Sequence, residues 1–103
     1  MPENDVLQSI CEFLWYNKIF FYRNNNTPVF NGDVYRKMPK WSMKGVPDIV
    51  GIYKGRPLYI EVKKKGGYPS KEQKAFIELV NSEGGIAFVA RSIDDVKSKL
   101  TTL

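Results

Sequence analysis

The stretch between residues 48 and 64 places the tightest limit on the fold. β-Branched and aromatic residues fill the run from Asp48 to Tyr53 and, after the turn-forming segment Lys54–Pro57, the run from Leu58 to Lys64. This pattern predicts a β-hairpin. Side chains of the returning strand alternate between two faces, with Leu58, Ile60 and Val62 on one and Tyr59, Glu61, Lys63 and Lys65 on the other.

Helix and strand patterns surround this hairpin. Apolar spacing predicts three helices, over residues 3–17, 70–82 and 92–100. Two further strands are predicted, over residues 19–23 and 86–90. Residues 24–45 are predicted to form a long polar loop with a short strand at Asp33–Lys37. The order α-β-β-β-α-β-α predicts one α/β domain over residues 1–103, with a small central mixed sheet flanked by helices.

The charge balance indicates a polyanionic partner. The chain has 16 Lys and Arg against 11 Asp and Glu, a formal net charge of +5. An excess of this size favours nucleic acid or an anionic membrane surface.

No apolar run approaches the about 20 residues that span a bilayer, and the N-terminus has no signal-peptide pattern. We therefore expect a cytoplasmic protein with no membrane partner.

Two residue types limit the chemistry. Histidine is absent, which excludes Ser-His-Asp and Cys-His triads, imidazole-bound zinc and histidine-dependent nucleases. A metal ion would have to be held by oxygen, which favours Mg²⁺ or Mn²⁺. The single cysteine, Cys11, excludes an internal disulfide and suits a reducing compartment, so we expect no disulfide-linked partner.

Three polar residues are predicted to meet at one end of the hairpin. Asp48 begins the first strand, and the hairpin brings it beside Glu61 and Lys63 near the end of the second. Two carboxylates can hold a divalent cation for phosphodiester hydrolysis, and a lysine can orient water or stabilise transition-state charge. The alternative is a solvated charge pair. We favour the site because unpaired charge on a covered central strand would be costly.

Two further polar residues have open interpretations. Gln73 leads the apolar stripe of its helix and can reach the acidic end of the sheet, or it can complete a capping box with Ser70. Glu3 lies on the buried stripe of the first helix and can reach the same metal from the helix side. Alternatively, Glu3 is an ordinary acidic residue of a first helical turn.

Basic and aromatic residues flank this constellation. Phosphate contacts are expected from the loop before Asp48 and from the segment after Glu61, unless these cations merely keep the surface soluble. The candidates are Arg36, Lys37, Lys40, Lys44, Lys64, Lys65 and Lys71. Large aromatics exceed what a small core needs and can stack on bases, form a subunit interface or belong to the core. They are Trp15, Tyr16, Phe30, Tyr35 and Trp41.

The order of these motifs resembles a known nuclease signature. Gly45-Val46-Pro47-Asp48, Glu61-Val62-Lys63 and Ser70-Lys71-Glu72-Gln73 are similar to the PD-(D/E)XK pattern, and most closely to its virus-type replication-repair nuclease branch, the VRR-NUC domain. An aromatic strand ending in Arg23-Asn24-Asn25 fits the same branch. The resemblance covers roughly residues 3 to 97 and implies a small restriction-endonuclease-like fold.

The resemblance also implies roles for individual residues. Asp48, Glu61 and the carbonyl of Val62 would bind Mg²⁺ or Mn²⁺, Lys63 would be the catalytic lysine, and Gln73 would support the site. Glu3 would complete the metal site from the first helix, although sliding that helix by one turn puts Leu7, which cannot ligate, in its place. Arg23 joins the candidate DNA contacts.

The resulting expectation is a metal-dependent DNA endonuclease. The resemblance implies branched DNA, with the Holliday junction as the sharpest expectation, in DNA repair or recombination. Two matched cuts at such a junction favour a homodimer. The alternatives are a flap, nicking or exonuclease activity at the same site, and a nucleic-acid-binding module without catalysis.

Overall fold

The computed structural model describes residues 2–24, 30–31, 34–35 and 40–102. Its helices are α1 (Glu3–Tyr16), α2 (Lys71–Ser82) and α3 (Ile93–Thr101). Its strands are β1 (Phe20–Arg23), β2 (Phe30–Asn31), β3 (Val34–Tyr35), β4 (Ile49–Tyr53), β5 (Arg56–Val62) and β6 (Ile86–Ala90). In this part of the chain, no helix has the length and apolar character needed to cross a membrane.

A four-stranded mixed sheet organises the molecule. The strand order is β1-β4-β5-β6, in which β4 pairs antiparallel with both β1 and β5, and β5 pairs parallel with β6. The predicted α/β class and element order are confirmed. The predicted long loop also contains a two-stranded sheet of β2 and β3, and β3 covers the middle of the short strand predicted at Asp33–Lys37.

The hairpin turn is shorter than the sequence predicts. Tyr53 pairs directly with Arg56, so only Lys54 and Gly55 form the turn, with φ of 50° and 78°. Two successive positive φ values match the twist of a tight two-residue hairpin. The predicted turn over Lys54–Pro57 was wrong in length. The tight turn needs a left-handed backbone at its first residue, and here a lysine adopts it where glycine or asparagine is usual. β5 consequently begins at Arg56 and ends at Val62, which leaves Lys63 and Lys64 beyond the strand.

One face of the sheet packs against α1 and α3. Ile10 and Leu14 of α1 and Val96 of α3 are fully buried with the β5 residues Leu58, Ile60 and Val62. Burial of one such aliphatic side chain contributes about 1.5–3 kcal/mol, so this face supplies much of the stability. The helical spacing that predicted α1 is the spacing that brings its apolar residues to the sheet.

The opposite face of β5 is covered by α2. The rings of Tyr59 and Phe76 meet edge to face with centroids 5.0 Å apart. Ser70 caps the helix by accepting a hydrogen bond from the Gln73 amide at 3.1 Å. Since Glu61 shares its face of β5 with Tyr59, α2 lies on the side of the sheet that carries the acidic residue.

Candidate active site

Asp48 stands at the start of β4, where the hairpin register brings it opposite Glu61. Ile49 pairs with Ile60, so Asp48, the residue just before β4, faces Glu61 of β5. The Val62 amide donates a hydrogen bond of 3.0 Å to Oδ2 of Asp48. This bond fixes one carboxylate oxygen, and the carboxyl group is held at the end of the two central strands.

The backbone around Asp48 is held from two sides. The Asn24 amide, just after β1, donates to the Asp48 carbonyl at 2.7 Å, and Nδ2 of Asn24 donates to the Pro47 carbonyl at 3.5 Å. On the other side Gly45, at φ 83°, packs so closely that an added Cβ would lie 2.5 Å from the carbonyl oxygen of Glu72 in α2. A glycine is therefore required where this turn meets α2.

Glu61 is a buried carboxyl group with an unsatisfied oxygen. The residue is 2% exposed, and Oε1 has no hydrogen-bond partner among the described residues. Burial, then the negative charge of Asp48 and a hydrogen bond that the protonated Glu61 can donate to Asp48, raise the Glu61 pKa to about 8. Lys63 opposes this shift, and Glu3 adds to it. A cation bound at a buried carboxylate oxygen without a donor would offset the cost of leaving that oxygen unpaired.

Lys63 follows β5 directly and points its ammonium group at Glu61. Lys63 Nζ lies 3.7 Å from Oε2 of Glu61, and the lysine side chain is 18% exposed. Its backbone amide donates to the carbonyl of Ala90, the last residue of β6, at 3.1 Å. The lysine is therefore anchored by its main chain while its charge sits at the rim of the site.

Glu3 approaches this group from α1. It lines an open pocket of about 290 Å³ together with Asn4, Leu7, Asp48 and Val62. In the slid alignment of the first helix the same role would fall to Leu7, which is buried in the apolar core. Among the described residues, no three Asp, Glu, Cys or His side chains are close enough together to hold a metal ion. Glu3 is a neighbour of the acidic pair, and its role as a ligand stays a prediction.

Gln73 makes the capping box that the sequence left open. Its Oε1 accepts a hydrogen bond of 2.7 Å from the Ser70 amide while its own amide donates to the Ser70 hydroxyl. The amide oxygen is thus committed to the start of α2, against which Gly45 packs. A supporting role for Gln73 at the site stays a prediction, and its structural basis would be this helix start.

The predicted DNA contacts are on the surface where the structure describes them. Lys40, Lys44, Lys64, Lys65, Lys71 and Arg23 are exposed. Arg36 and Lys37 lie outside the described residues. Trp15, Tyr16 and Trp41 are also exposed, so the alternative that these aromatics belong to the core is wrong. The side chains of Phe30 and Tyr35 lie outside the described residues.

One residue near the site was missed at the level of sequence. Arg91 follows β6 and donates two hydrogen bonds to the Gly67 carbonyl, from Nε at 3.1 Å and from Nη2 at 2.7 Å. Its proximity to Lys63 depends on the parallel pairing of β5 with β6. The spacing of apolar and polar residues along the chain does not show which strands pair when a helix separates them in the sequence.

The donor set fits a hard divalent cation. Asp48 and Glu61 offer carboxylate oxygens, and Val62 offers the carbonyl that follows Glu61 in the chain. Within the part of the chain that the structure describes, Oε1 of Glu61 has no hydrogen-bond partner. These are the ligand types of Mg²⁺ and Mn²⁺. The described part of the chain also places a cation, Lys63, on the opposite carboxylate oxygen of Glu61.

A small mixed sheet between helices, in the order α-β-β-β-α-β-α, is the architecture of the PD-(D/E)XK nucleases. The model of one family, the VRR-NUC domain, matches residues 31–94, more than half of the chain. The chain therefore belongs to the VRR-NUC domain family, which is of the nuclease type. Among curated proteins, no match to the chain is found.

Proposed function

We propose that the protein is a metal-dependent DNA endonuclease that hydrolyses phosphodiester bonds. Its active-site residues would be Asp48, Glu61 and Lys63. The observation that carries the proposal is the buried Glu61 carboxyl. One of its oxygens has no hydrogen-bond partner among the residues that the structure describes, and the other lies 3.7 Å from the Lys63 ammonium. A buried acid of this kind costs stability unless a ligand compensates for it. Because the chain belongs to a nuclease-type family, we infer that the buried Glu61 carboxyl serves catalysis.

Asp48, Glu61 and the carbonyl of Val62 would hold Mg²⁺ or Mn²⁺. When bound, the cation would polarise the scissile phosphate and lower the pKa of a water molecule. The chain's own contribution is to preorganise the ligands. The Val62 amide orients Asp48, and no described residue donates a hydrogen bond to Oε1 of Glu61. Glu3 would add a ligand from α1, whose first turn borders the same pocket.

Lys63 would act on the reacting phosphate. Its ammonium group can orient the attacking water and stabilise the additional negative charge of the transition state. The ion pair with Glu61 holds the lysine at the rim of the site, and the hydrogen bond to Ala90 fixes its backbone. Gln73 would support this arrangement indirectly, by holding the start of α2.

The substrate we propose is branched DNA, with the Holliday junction cut by a homodimer. Exposed lysines before Asp48 and after Glu61 would bind phosphates on both sides of the site, together with Arg23, Arg36 and Lys37. A two-fold dimer would supply two sites at a fixed separation. Exposed Trp15, Tyr16 and Trp41, with Phe30, are candidates for the apolar interface.

A cleavage panel tests this proposal. Labelled duplex, flap and four-way-junction DNAs are incubated with the protein in Mg²⁺ and in EDTA, and light scattering is recorded alone and with junction DNA. We expect Mg²⁺-dependent cleavage that is strongest on the junction, and a mass about twice 11.9 kDa. If the protein is a monomer that cuts flaps or nicks duplex DNA, its activity is that of a flap or nicking nuclease and not of a junction resolvase. Binding without cleavage of any DNA would indicate a non-catalytic module.

A further inference from the structure

The loop between β5 and α2 is tied to the end of β6. β5 and β6 are parallel and end side by side, and the Lys63 amide donates to the Ala90 carbonyl at 3.1 Å. Arg91, the next residue, extends its guanidinium group to the Gly67 carbonyl with hydrogen bonds of 3.1 and 2.7 Å. A planar two-donor fork holds a carbonyl in a defined direction better than a single donor. The loop is therefore built as a rigid element next to Lys63.

A further turn closes the same loop. The Gly67 amide donates to the Lys64 carbonyl at 2.9 Å, and Gly66 takes a φ of 82° that side chains rarely adopt. Lys64 and Lys65 are exposed on this turn. The loop thus presents two cations immediately after the proposed catalytic lysine.

Tyr68 is the exposed aromatic of this loop. Its side chain is 78% exposed, although its ring lies 5.4 Å from the guanidinium carbon of Arg91. The guanidinium contact orders the ring from one side. An ordered and exposed aromatic ring, flanked by lysines, has the features of a stacking surface for nucleobases.

We propose that residues 64–68 form a platform for an unpaired nucleobase of the DNA substrate. Tyr68 stacks on the base, Lys64 and Lys65 bind the adjoining phosphates, and Arg91 is a positioning residue that holds Tyr68 and Gly67. The proposal rests on the proposed function, since it names the part of the DNA that this nuclease recognises. Bases inside an intact duplex stack on each other, so a base with an accessible face occurs at flaps, bulges, junction openings and strand ends.

The first experiment measures binding in EDTA, where no cleavage occurs. Two DNAs of equal length carry 2-aminopurine, in one case in a short unpaired segment and in the other within full duplex. For Tyr68→Ala we expect about tenfold weaker binding of the unpaired DNA, unchanged binding of the duplex, and less quenching of 2-aminopurine. Tyr68→Phe should bind like the parent, whereas Tyr68→Leu should bind like Tyr68→Ala because it lacks a π face.

Lysine variants separate the platform from general charge. Lys64→Ala/Lys65→Ala should lower the salt slope of binding by about two units. The matched control is Lys97→Ala/Lys99→Ala, which removes two exposed lysines from α3 and should leave the slope unchanged. Equal slopes for the two double variants would overturn the phosphate contacts.

Arg91 variants test the positioning role. Arg91→Met should reproduce the selective loss of Tyr68→Ala, and Arg91→Lys should restore part of it, with melting temperatures recorded for both. An equal loss on unpaired and duplex DNA, or no loss for Tyr68→Ala, would overturn the platform. These binding results are independent of turnover. Failure of the parent protein to cleave would count against the proposed nuclease and leave the base-binding result intact.

Discussion

The two faces of β5 carry alternate residues of one strand and contribute in opposite ways. Towards α1 and α3, Leu58, Ile60 and Val62 are fully buried among apolar neighbours. Towards α2, Glu61 is almost as deeply buried, but no described residue forms a hydrogen bond with its Oε1. The apolar face stabilises the fold, whereas burial of the Glu61 carboxyl group on the other face lowers stability. The difference shows that burial alone does not distinguish a core position from a reactive one.

The largest expected effect comes from neutralising the acidic face. Glu61→Gln and Asp48→Asn should lower the rate of Mg²⁺-dependent cleavage by at least about 10²–10³-fold, because they remove the charge that would hold the cation. Binding of DNA in EDTA should be unchanged. Rates come from cleavage of labelled junction DNA, and metal affinity comes from calorimetry. Glu83→Gln, at an exposed carboxylate after α2, is the control. A Glu61→Gln variant that cleaves at the parent rate would remove this active site.

Truncation on the apolar face should affect stability instead of chemistry. Ile60→Ala should lower the free energy of unfolding by about 2–5 kcal/mol, because Ile60 is fully buried. Ile52→Ala, at a half-exposed position of β4, should change the free energy of unfolding by no more than about 0.5 kcal/mol. Urea denaturation of both variants measures the difference. Equal losses would mean that the sheet does not divide its two faces as described.

The acidic face should make metal-free stability depend on pH. The folded pKa of Glu61, about 8, lies above its ordinary value of 4.5, so the folded state holds the proton more strongly than the unfolded state. The favourable contribution is fully present below pH 4.5 and is lost as the pH rises through about 8. Melting temperature in EDTA should therefore fall over this range. Mg²⁺ affinity should rise over the same range because the cation needs the ionised carboxylate.

Glu61→Gln provides the comparison for this pH effect. Glutamine does not titrate, so its melting temperature should vary less between pH 5 and pH 8, and at pH 8 it should exceed that of the parent protein in EDTA. Parallel pH profiles for the two proteins would show that another group is responsible.

The smallest effect is expected at the helix start beside the site. Ser70→Ala and Gln73→Ala each remove part of the capping box and should cost about 1 kcal/mol of stability. Both should lower kcat by a similar small factor, since both loosen the α2 start against which Gly45 packs. Chemical denaturation and single-turnover cleavage measure the two quantities. A kcat loss confined to Gln73→Ala would assign Gln73 a direct role on the acidic face.

Local patterns predicted most of the fold and the centre of the site. Alternation in β5 and the order of strands and helices were sufficient to place Asp48 beside Glu61. The turn was misjudged because the left-handed conformation of Lys54 has no local signature. Gln73 could not be resolved, since one residue type suits both a cap and a site. Arg91 escaped detection because its neighbours are set by the pairing of β5 with β6 across α2.

The parallel pairing of β5 with β6 also sets an order of assembly. Asp48 and Glu61 belong to one hairpin, so the pairing that brings their carboxyl groups together needs only residues 48–62. The anchor of Lys63 at Ala90 and the Arg91 fork arrive only after α2 and β6. A nascent chain would therefore hold the acidic pair before it holds the platform proposed for DNA. Amide hydrogen exchange should show the same sequence in reverse, with protection lost at Lys63 and Gly67 before the hairpin opens.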